Sequence, residues 1–301
     1  MKIFKIILVL LFFTNGSLIC QNWEEIRGWS NIVNVQSFDV NENSIYLAQD
    51  EKIFKTDDFG LNWKQLKKES FSVAFGINHV FYNDNTLFIQ SRWNSKGPYD
   101  KLVLTKDEGK SWDKGNSNFD YYLFFDFIKD KKDLYSVFKT KVGYKNPLNI
   151  YQYDFNNKNW FSLLDSATST KIVNIPKTIL KYSNKILIGT DVNKTAVSQG
   201  IKRPNIFIYN FNDKTLLSML DSTSDLWRNQ VNCFLKYNNS IFAGTSTGMY
   251  KSEDGGITWK KNIHGLQYKD SVNEYDLEVA KMMVFDDYIF AITSYPPPVF
   301  F

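Results

Sequence analysis

Three short stretches of this 301-residue chain repeat one eight-residue pattern, Ser/Thr-x-Asp-x-Gly-x-x-Trp. They are Thr56–Trp63, Thr105–Trp112 and Ser252–Trp259. The fixed residues are Asp58, Gly60 and Trp63, then Asp107, Gly109 and Trp112, then Asp254, Gly256 and Trp259. A pattern held at four positions does not recur three times by accident. It marks internal duplication, and duplication restricts a chain to architectures built from stacked copies of one unit.

A second repeat is more regular. An apolar strand runs into a turn of Asn, Asp, Ser or Lys, and another apolar strand follows, at residues 40–46, 82–88, 129–135, 182–187, 237–242 and 285–290. Asn and Asp tolerate the positive φ of tight hairpins, so each copy reads as a β-hairpin. Counted from Ile45, Leu87, Leu134, Ile186, Ile241 and Ile289, the steps are 42, 47, 52, 55 and 48 residues. A unit of that length holds the four strands of one blade of a β-propeller. The aromatic content of 17% suits pleated, half-buried strands. The expected fold is all-β: a six-bladed propeller with four-stranded blades over 21–301.

Each box falls between the third and fourth strands of its blade. Its Gly supplies a positive φ, its Asp accepts turn amides, and its Trp starts the fourth strand. Residues 153–160 and 209–216 read as degenerate boxes, with Asn157 and Asp213 in the place of the Gly and expected to take its left-handed conformation. The sixth copy stops at Pro296-Pro297-Pro298 and Phe301 without a fourth strand. The segment Asn22-Trp23-Glu24-Glu25-Ile26, however, is written like Asn62-Trp63-Lys64-Gln65-Leu66. The N-terminal strand is therefore expected to complete the last blade, which removes an open edge. The alternative is a sixth blade left open.

Before that strand, Lys2 and Lys5 precede the unbroken apolar run from Ile6 to Phe13. The run is shorter than the roughly 20 residues a membrane-spanning helix needs, so 1–20 reads as a secretory signal peptide cleaved after Cys20. A lipoprotein acylated at Cys20 is the rival, disfavoured by Ile19 where a small residue is usual. Cleavage leaves Cys233 as the sole thiol, read as a small buried hydrophobe. With two histidines, His79 and His264, neither a Cys-His nucleophile nor a zinc site is expected. A formal charge of +4 does not suggest nucleic acid, and no dinucleotide or P-loop motif is present, so no cofactor is expected. The mature chain is expected to be a monomer outside the cytoplasm.

The boxes resemble the Asp-box, or bacterial neuraminidase repeat, of sialidases, sortilin-type receptors, some glycoside hydrolases and photosystem assembly factors. The resemblance implies a propeller in which the box is a peripheral turn away from the ligand. Sialidase activity would further imply an arginine triad, a Tyr nucleophile paired with Glu, an Asp acid/base and an Arg-Ile-Pro motif. This chain has only Arg27, Arg92, Arg203 and Arg228, and its nearest approach to the motif is Lys202-Arg203-Pro204. No catalytic residue is carried over.

Propeller ligands meet the connections between second and third strands. These read as long loops in three consecutive blades: 91–101, 139–149 and 190–205. They carry Arg92, Lys96, Lys101, Lys139, Lys141, Lys145, Lys194, Lys202 and Arg203 against only Asp100 and Asp191. Trp93, Tyr99 and Tyr144 lie among them. Cations interleaved with aromatic rings fit an acidic glycan or an acidic protein surface. The chain therefore reads as a secreted, non-catalytic binding or scaffold module, with Arg92, Trp93, Lys96, Tyr99, Lys141, Tyr144, Lys145, Lys202 and Arg203 as the candidate site. A sialidase-type exo-glycosidase and an extracytoplasmic assembly or adhesion factor are the alternatives.

Overall fold

The computed structural model describes residues 35–41, 43–58, 60–66, 77–93, 99–115, 123–130, 133–139, 148–169, 172, 174–220, 224–262, 267–269, 274–285 and 288–294. The expected signal peptide, Cys20, Trp23 and the expected closing strand lie outside them, as do Lys96, Lys141, Tyr144 and Lys145.

Five four-stranded antiparallel sheets follow one another along these residues, each a simple meander. Sheet 1 comprises Val35–Val40, Ile45–Gln49, Lys52–Thr56 and Lys64–Gln65. Sheet 2 comprises Ile77–Asn83, Thr86–Trp93, Tyr99–Thr105 and Asp113–Lys114. Sheet 3 comprises Leu123–Asp130, Asp133–Lys139, Asn149–Asp154 and Asn159–Ser162. Sheet 4 comprises Pro176–Tyr182, Lys185–Thr190, Ile206–Asn210 and Thr215–Met219. Sheet 5 comprises Val231–Tyr237, Ser240–Thr245, Gly248–Ser252 and Lys260–Lys261. Sheet 6 shows two strands, Glu278–Phe285 and Tyr288–Ser294, preceded by a small hairpin of Gln267–Lys269 and Glu274–Asp276. All six hairpins read from the sequence are thus first-to-second-strand pairs.

The second strands are apolar almost throughout, because the sheets stack face to face and a middle strand is covered on both faces. Four packed clusters fill the successive junctions. One runs from Tyr46 and Ala48 to Ile77 and Val80, the next from Phe88 and Leu104 to Phe138 and Trp160. The third joins Val137 and Ile150 to Ile188 and Phe207, and the fourth joins Leu187 and Ile208 to Ala243 and Trp259. Each fully buried aliphatic side chain contributes about 1.5–3 kcal/mol.

The first strands sit side by side and gather about a common axis. Lys129 of sheet 3 pairs with Asp39 of sheet 1, whose carboxylate also accepts the Tyr82 N–H of sheet 2 at 2.6 Å. Every first strand carries a β-bulge at the same place: the extra residues are Gln36, Asn78, Phe125, Lys177, Asn232 and Ala280. The bulge turns the following residue sideways, toward the next sheet. Ser37 Oγ accepts the Val80 N–H at 3.1 Å, and Asp126 accepts the Ile179 N–H at 3.0 Å. Cys233 Sγ takes the Met282 N–H in the same manner. Opposite two of these positions the second strand has glycine. A Cβ on Gly189 would lie 2.6 Å from Val231, and one on Gly244 would lie 2.6 Å from Cys233 Sγ and 2.7 Å from Val279.

The boxes fold alike. The leading hydroxyl donates to the Asp, at 2.7 Å in Thr56 and Thr105 and 2.8 Å in Ser252, and accepts the Gly N–H at 2.9 Å in all three. The Asp then accepts the N–H of Asn62, Ser111 or Thr258, each at 2.9 Å. Gly60, Gly109 and Gly256 have φ of +91°, +82° and +94°, a conformation that disfavours any side chain. The degenerate copies differ from expectation. Asp154 pairs with Asn159 and Asn210 with Thr215, closing four-residue hairpins. Their positive φ falls on Lys158 and Lys214, not on Asn157 and Asp213. The shorter turn places the left-handed residue one position later.

Candidate functional site

An antiparallel meander alternates direction, so connections from strand 2 to 3 and from strand 4 to the next strand 1 emerge at one end. The 1–2 hairpins and the boxes emerge at the other. The box carboxylates are bound up in their own turns. The Asn62 N–H, with Thr56 and the Asn62 side chain, holds Asp58 down at about 2. The Ser111 hydroxyl and N–H, with Thr105, do the same for Asp107. In Asp254 partial burial works the other way, and the bonds from Thr258 and Ser252 outweigh it. A carboxylate already accepting three local donors is a staple of the turn, with little left to offer a ligand.

At the opposite end the sequence read three long loops, and the structure alters the first. Residues 91–93 and 99–101 continue the strands of sheet 2, with Arg92 opposite Asp100 and Trp93 opposite Tyr99. The paired strands thus extend further into this connection than the sequence reading placed them. In the third sheet Lys139 and Asn149 likewise end strands. The fourth sheet's connection contains a short helix, Lys194–Ser198, whose N-cap Asn193 accepts the Ala196 N–H at 2.9 Å.

That connection meets the one from sheet 4 to sheet 5, a 3-10 turn over Asp225–Arg228 capped by Ser224. Asn205 ties them together, donating to the carbonyls of Leu226 and Asn229 at 2.6 Å each. Asn229 in turn donates to the Tyr250 hydroxyl at 3.0 Å. Fixed on this frame, the Trp227 ring is buried, with the Arg228 guanidinium 4.7 Å and the Lys202 ammonium 5.8 Å from its centroid. A shallow cleft beside it is floored by Val192, Ala196, Val197 and Ile201 and rimmed by Asn174 and Arg203. Ile175 and Ile201 are exposed next to it.

Lys194, Lys202, Arg203 and Arg228 are all exposed, and no carboxylate among the described residues lies at salt-bridge distance from any of them. Elsewhere cations are commonly paired: Lys158 with Asp113, Lys181 with Asp130 and Lys251 with Glu253. Of the sequence-predicted candidates, Lys202 and Arg203 are brought together here. Trp227 and Arg228 join them and were missed, because they lie in a fourth-to-first connection that no repeat flags. A lone Trp outside every box, followed by Arg, was the available signal.

The axis has a different chemistry. The six residues after the bulges are Ser37, His79, Asp126, Thr178, Cys233 and Lys281. Burial pushes His79 down to about 4, assisted by the Lys281 charge. Burial pushes Asp126 up to about 6, against the Ile179 and Phe127 N–H groups, Thr178 and Lys281. Burial also raises the Cys233 thiol to about 11, so it is protonated at neutral pH rather than a thiolate. Cys233 is therefore half-buried at the axis, where the sequence suggested plain core. The two described arginine side chains at the loop end, Arg203 and Arg228, sit at Trp227 rather than in this ring. Among the described residues no cluster of His, Cys, Asp or Glu is arranged to hold a metal ion, and no helix is long and apolar enough to cross a membrane.

No protein-family model matches the sequence, and no curated protein matches it. Solved structures do. YCF48 bound to D1 peptide is 12% identical with a TM-score of 0.58, covering 86% of this chain and 74% of that one. The extracellular domain of BT4673 from B. thetaiotaomicron is 13% identical with a TM-score of 0.60 over 89% of this chain. PorZ, a surface component of the type-IX secretion system of Porphyromonas gingivalis, is 9% identical with a TM-score of 0.54 over 86% of this chain. The chain spans about a third of the length of the last two, 32% and 37% respectively. YCF48 and the BT4673 extracellular domain are β-propellers, and at these identities the likeness is one of fold.

Proposed function

We propose that the chain is an exported, six-bladed, Asp-box-type β-propeller that acts as a non-catalytic binding module for an acidic segment of another protein. The observation that carries this reading is the loop-end cluster of Lys202, Arg203 and Arg228 around Trp227, exposed and without carboxylate partners among the described residues. A guanidinium stacked on an indole keeps its N–H fork free for a carboxylate. The exposed Ile175 and Ile201 beside that fork suit aliphatic side chains and favour a protein segment over a glycan. YCF48, a structural neighbour, is bound to D1 peptide, which supports the same class of partner. The extracellular BT4673 domain and the surface component PorZ support a place outside the cytoplasm, as does the N-terminal Lys2-to-Phe13 pattern.

For the sixth blade, the support is spacing. Trp23 precedes Ser37 by 14 residues, as the fourth-strand Trp112 precedes Asp126. Trp23 therefore starts the strand that completes the ring.

The test is fluorescence anisotropy with a labelled peptide alternating Glu and Leu, beside a sialylated oligosaccharide. The peptide should bind, and binding should weaken with salt. Arg203→Glu combined with Arg228→Glu should cost roughly tenfold or more, or about 1.4 kcal/mol. Unchanged peptide affinity in that double variant overturns the assignment. Preference for the oligosaccharide replaces the protein partner with a glycan.

A further inference from the structure

The fourth strand of a sheet is paired on one side, and its other side carries N–H and C=O groups that a further strand can take. The turn before it decides how long that edge is. In sheets 1, 2 and 5 the box occupies the turn, and only two residue pairs form beyond it. Each of these short edges carries lysine, at Lys64, Lys114 and Lys260-Lys261, which guards against edge-to-edge association. The degenerate turns of sheets 3 and 4 let pairing start at once, at Asp154 with Asn159 and at Asn210 with Thr215. Their outer strands run to four and five residues.

Sheet 4 is the extreme case. Thr215–Met219 pairs along its whole length without a bulge, and residues 215–220 are Thr-Leu-Leu-Ser-Met-Leu, with no charge. No described strand lies on its outer side. Leu216 is buried, but Leu217 is 53% exposed and Leu220 is exposed as well. The sheet 5 box packs close by: a Cβ on Gly256 would lie 3.4 Å from Ile208, the residue directly opposite Leu217. Ile257, which follows that glycine, is also exposed, so the edge is bordered by a further apolar side chain.

We propose that this edge joins two copies of the chain, whose fourth sheets combine into one eight-stranded antiparallel sheet across a two-fold axis at Leu217. The edge itself selects the occupant. A row of backbone groups is matched only by another extended strand. Under a two-fold axis Leu217 faces Leu217, Leu216 faces Ser218 and Thr215 faces Met219, so no charge meets its own kind. The same operation at Lys260-Lys261 presses like charges together, and the two-residue edges of sheets 1 and 2 offer too few groups to pair. One strand pair falls short of the roughly 1,200 Å² of a standard interface, so the dimer is weak and forms as concentration rises.

Sedimentation velocity over roughly a hundredfold range of concentration should show monomer passing to dimer. Leu217→Lys and Leu217→Glu should each weaken dimerisation roughly tenfold or more, because each sets a charge against itself. An equimolar mixture of the two should restore it, which misfolded variants would not do. Phe161→Lys, on the outer strand of sheet 3, should leave the dimer intact. So should Arg203→Glu with Arg228→Glu, which keeps failure of the loop-end reading distinguishable from failure here. A protein monomeric throughout, a dimer that survives both Leu217 variants, or a mixture that stays monomeric overturns the proposal. A monomer that instead binds an uncharged extended peptide gives the edge to a segment of another protein and removes the second copy as its occupant.

Discussion

The junction between sheets 5 and 6 and the outer faces of sheets 6 and 1 use the same strand positions and differ in what covers them. At the first, Val279 is fully buried over Gly244, and Asn232 donates to the Val279 carbonyl at 3.1 Å and to Glu278 at 3.0 Å. At the second, Phe38 is 59% exposed, whereas its counterparts Val80 and Ile179 are buried. Ile292 is 38% and Phe290 49% exposed, where Ala48 and Tyr46 of sheet 1 are covered. Four apolar side chains, with Val40 at 51%, are thus exposed on the outer faces of sheets 1 and 6. The contrast teaches that an apolar strand pattern is covered where another described sheet packs on it and left exposed on the outer faces of the first and last sheets.

Three experiments would break or sharpen this comparison. If Trp23 anchors the closing strand, Trp23→Ala should cost about 3–5 kcal/mol, the range for emptying a buried Trp site. Phe38→Ser should then cost more than an exposed position allows. Denaturant titration of the two variants checks it, and changes within about 0.5 kcal/mol in both would mean an open seam. At the closed junction, Gly244→Ala should cost about 1–3 kcal/mol, because the new Cβ is pressed between Cys233 and Val279. A thermal melt unchanged from wild type would show that the junction yields.

The smallest effect is a pH slope. Between about 4 and 6 the folded state keeps Asp126 protonated while the unfolded chain does not, so that residue adds stability as pH falls. His79 acts oppositely: the unfolded chain takes up its proton below 6.5 and the folded state resists until about 4. The two contributions oppose each other in the wild type. Asp126→Asn should unmask the His79 loss, giving a steeper decline in melting temperature from about pH 6 to about pH 4. An unchanged profile would separate the two groups from the folding equilibrium.

Much of the fold was legible because its signals are local. Asn238 and the pair Asp84-Asn85 mark hairpins by the positive φ they adopt, and each box Gly marks a turn that a Cβ would strain. The degenerate boxes misled because the left-handed preference of Asn is weak, and a four-residue hairpin assigns that conformation to Lys158 and Lys214. The axial ring was illegible for another reason. A bulge adds one residue without changing composition, yet it reverses which side chains face the neighbour, and alternation alone cannot reveal it. The basic character of the loop end was readable. That Trp227 and Arg228 would join Lys202 and Arg203 depended on Asn205 bridging segments more than twenty residues apart.

The repeated bulge also separates what the chain must keep from what it can change. Six backbones bend alike, while serine, histidine, aspartate, threonine, cysteine and lysine occupy the residue that follows. That residue is nonetheless part of the frame, since Ser37, Asp126 and Cys233 each accept an N–H of the next sheet. A new central chemistry could be installed there by design only with a side chain that also offers an acceptor to the neighbouring strand.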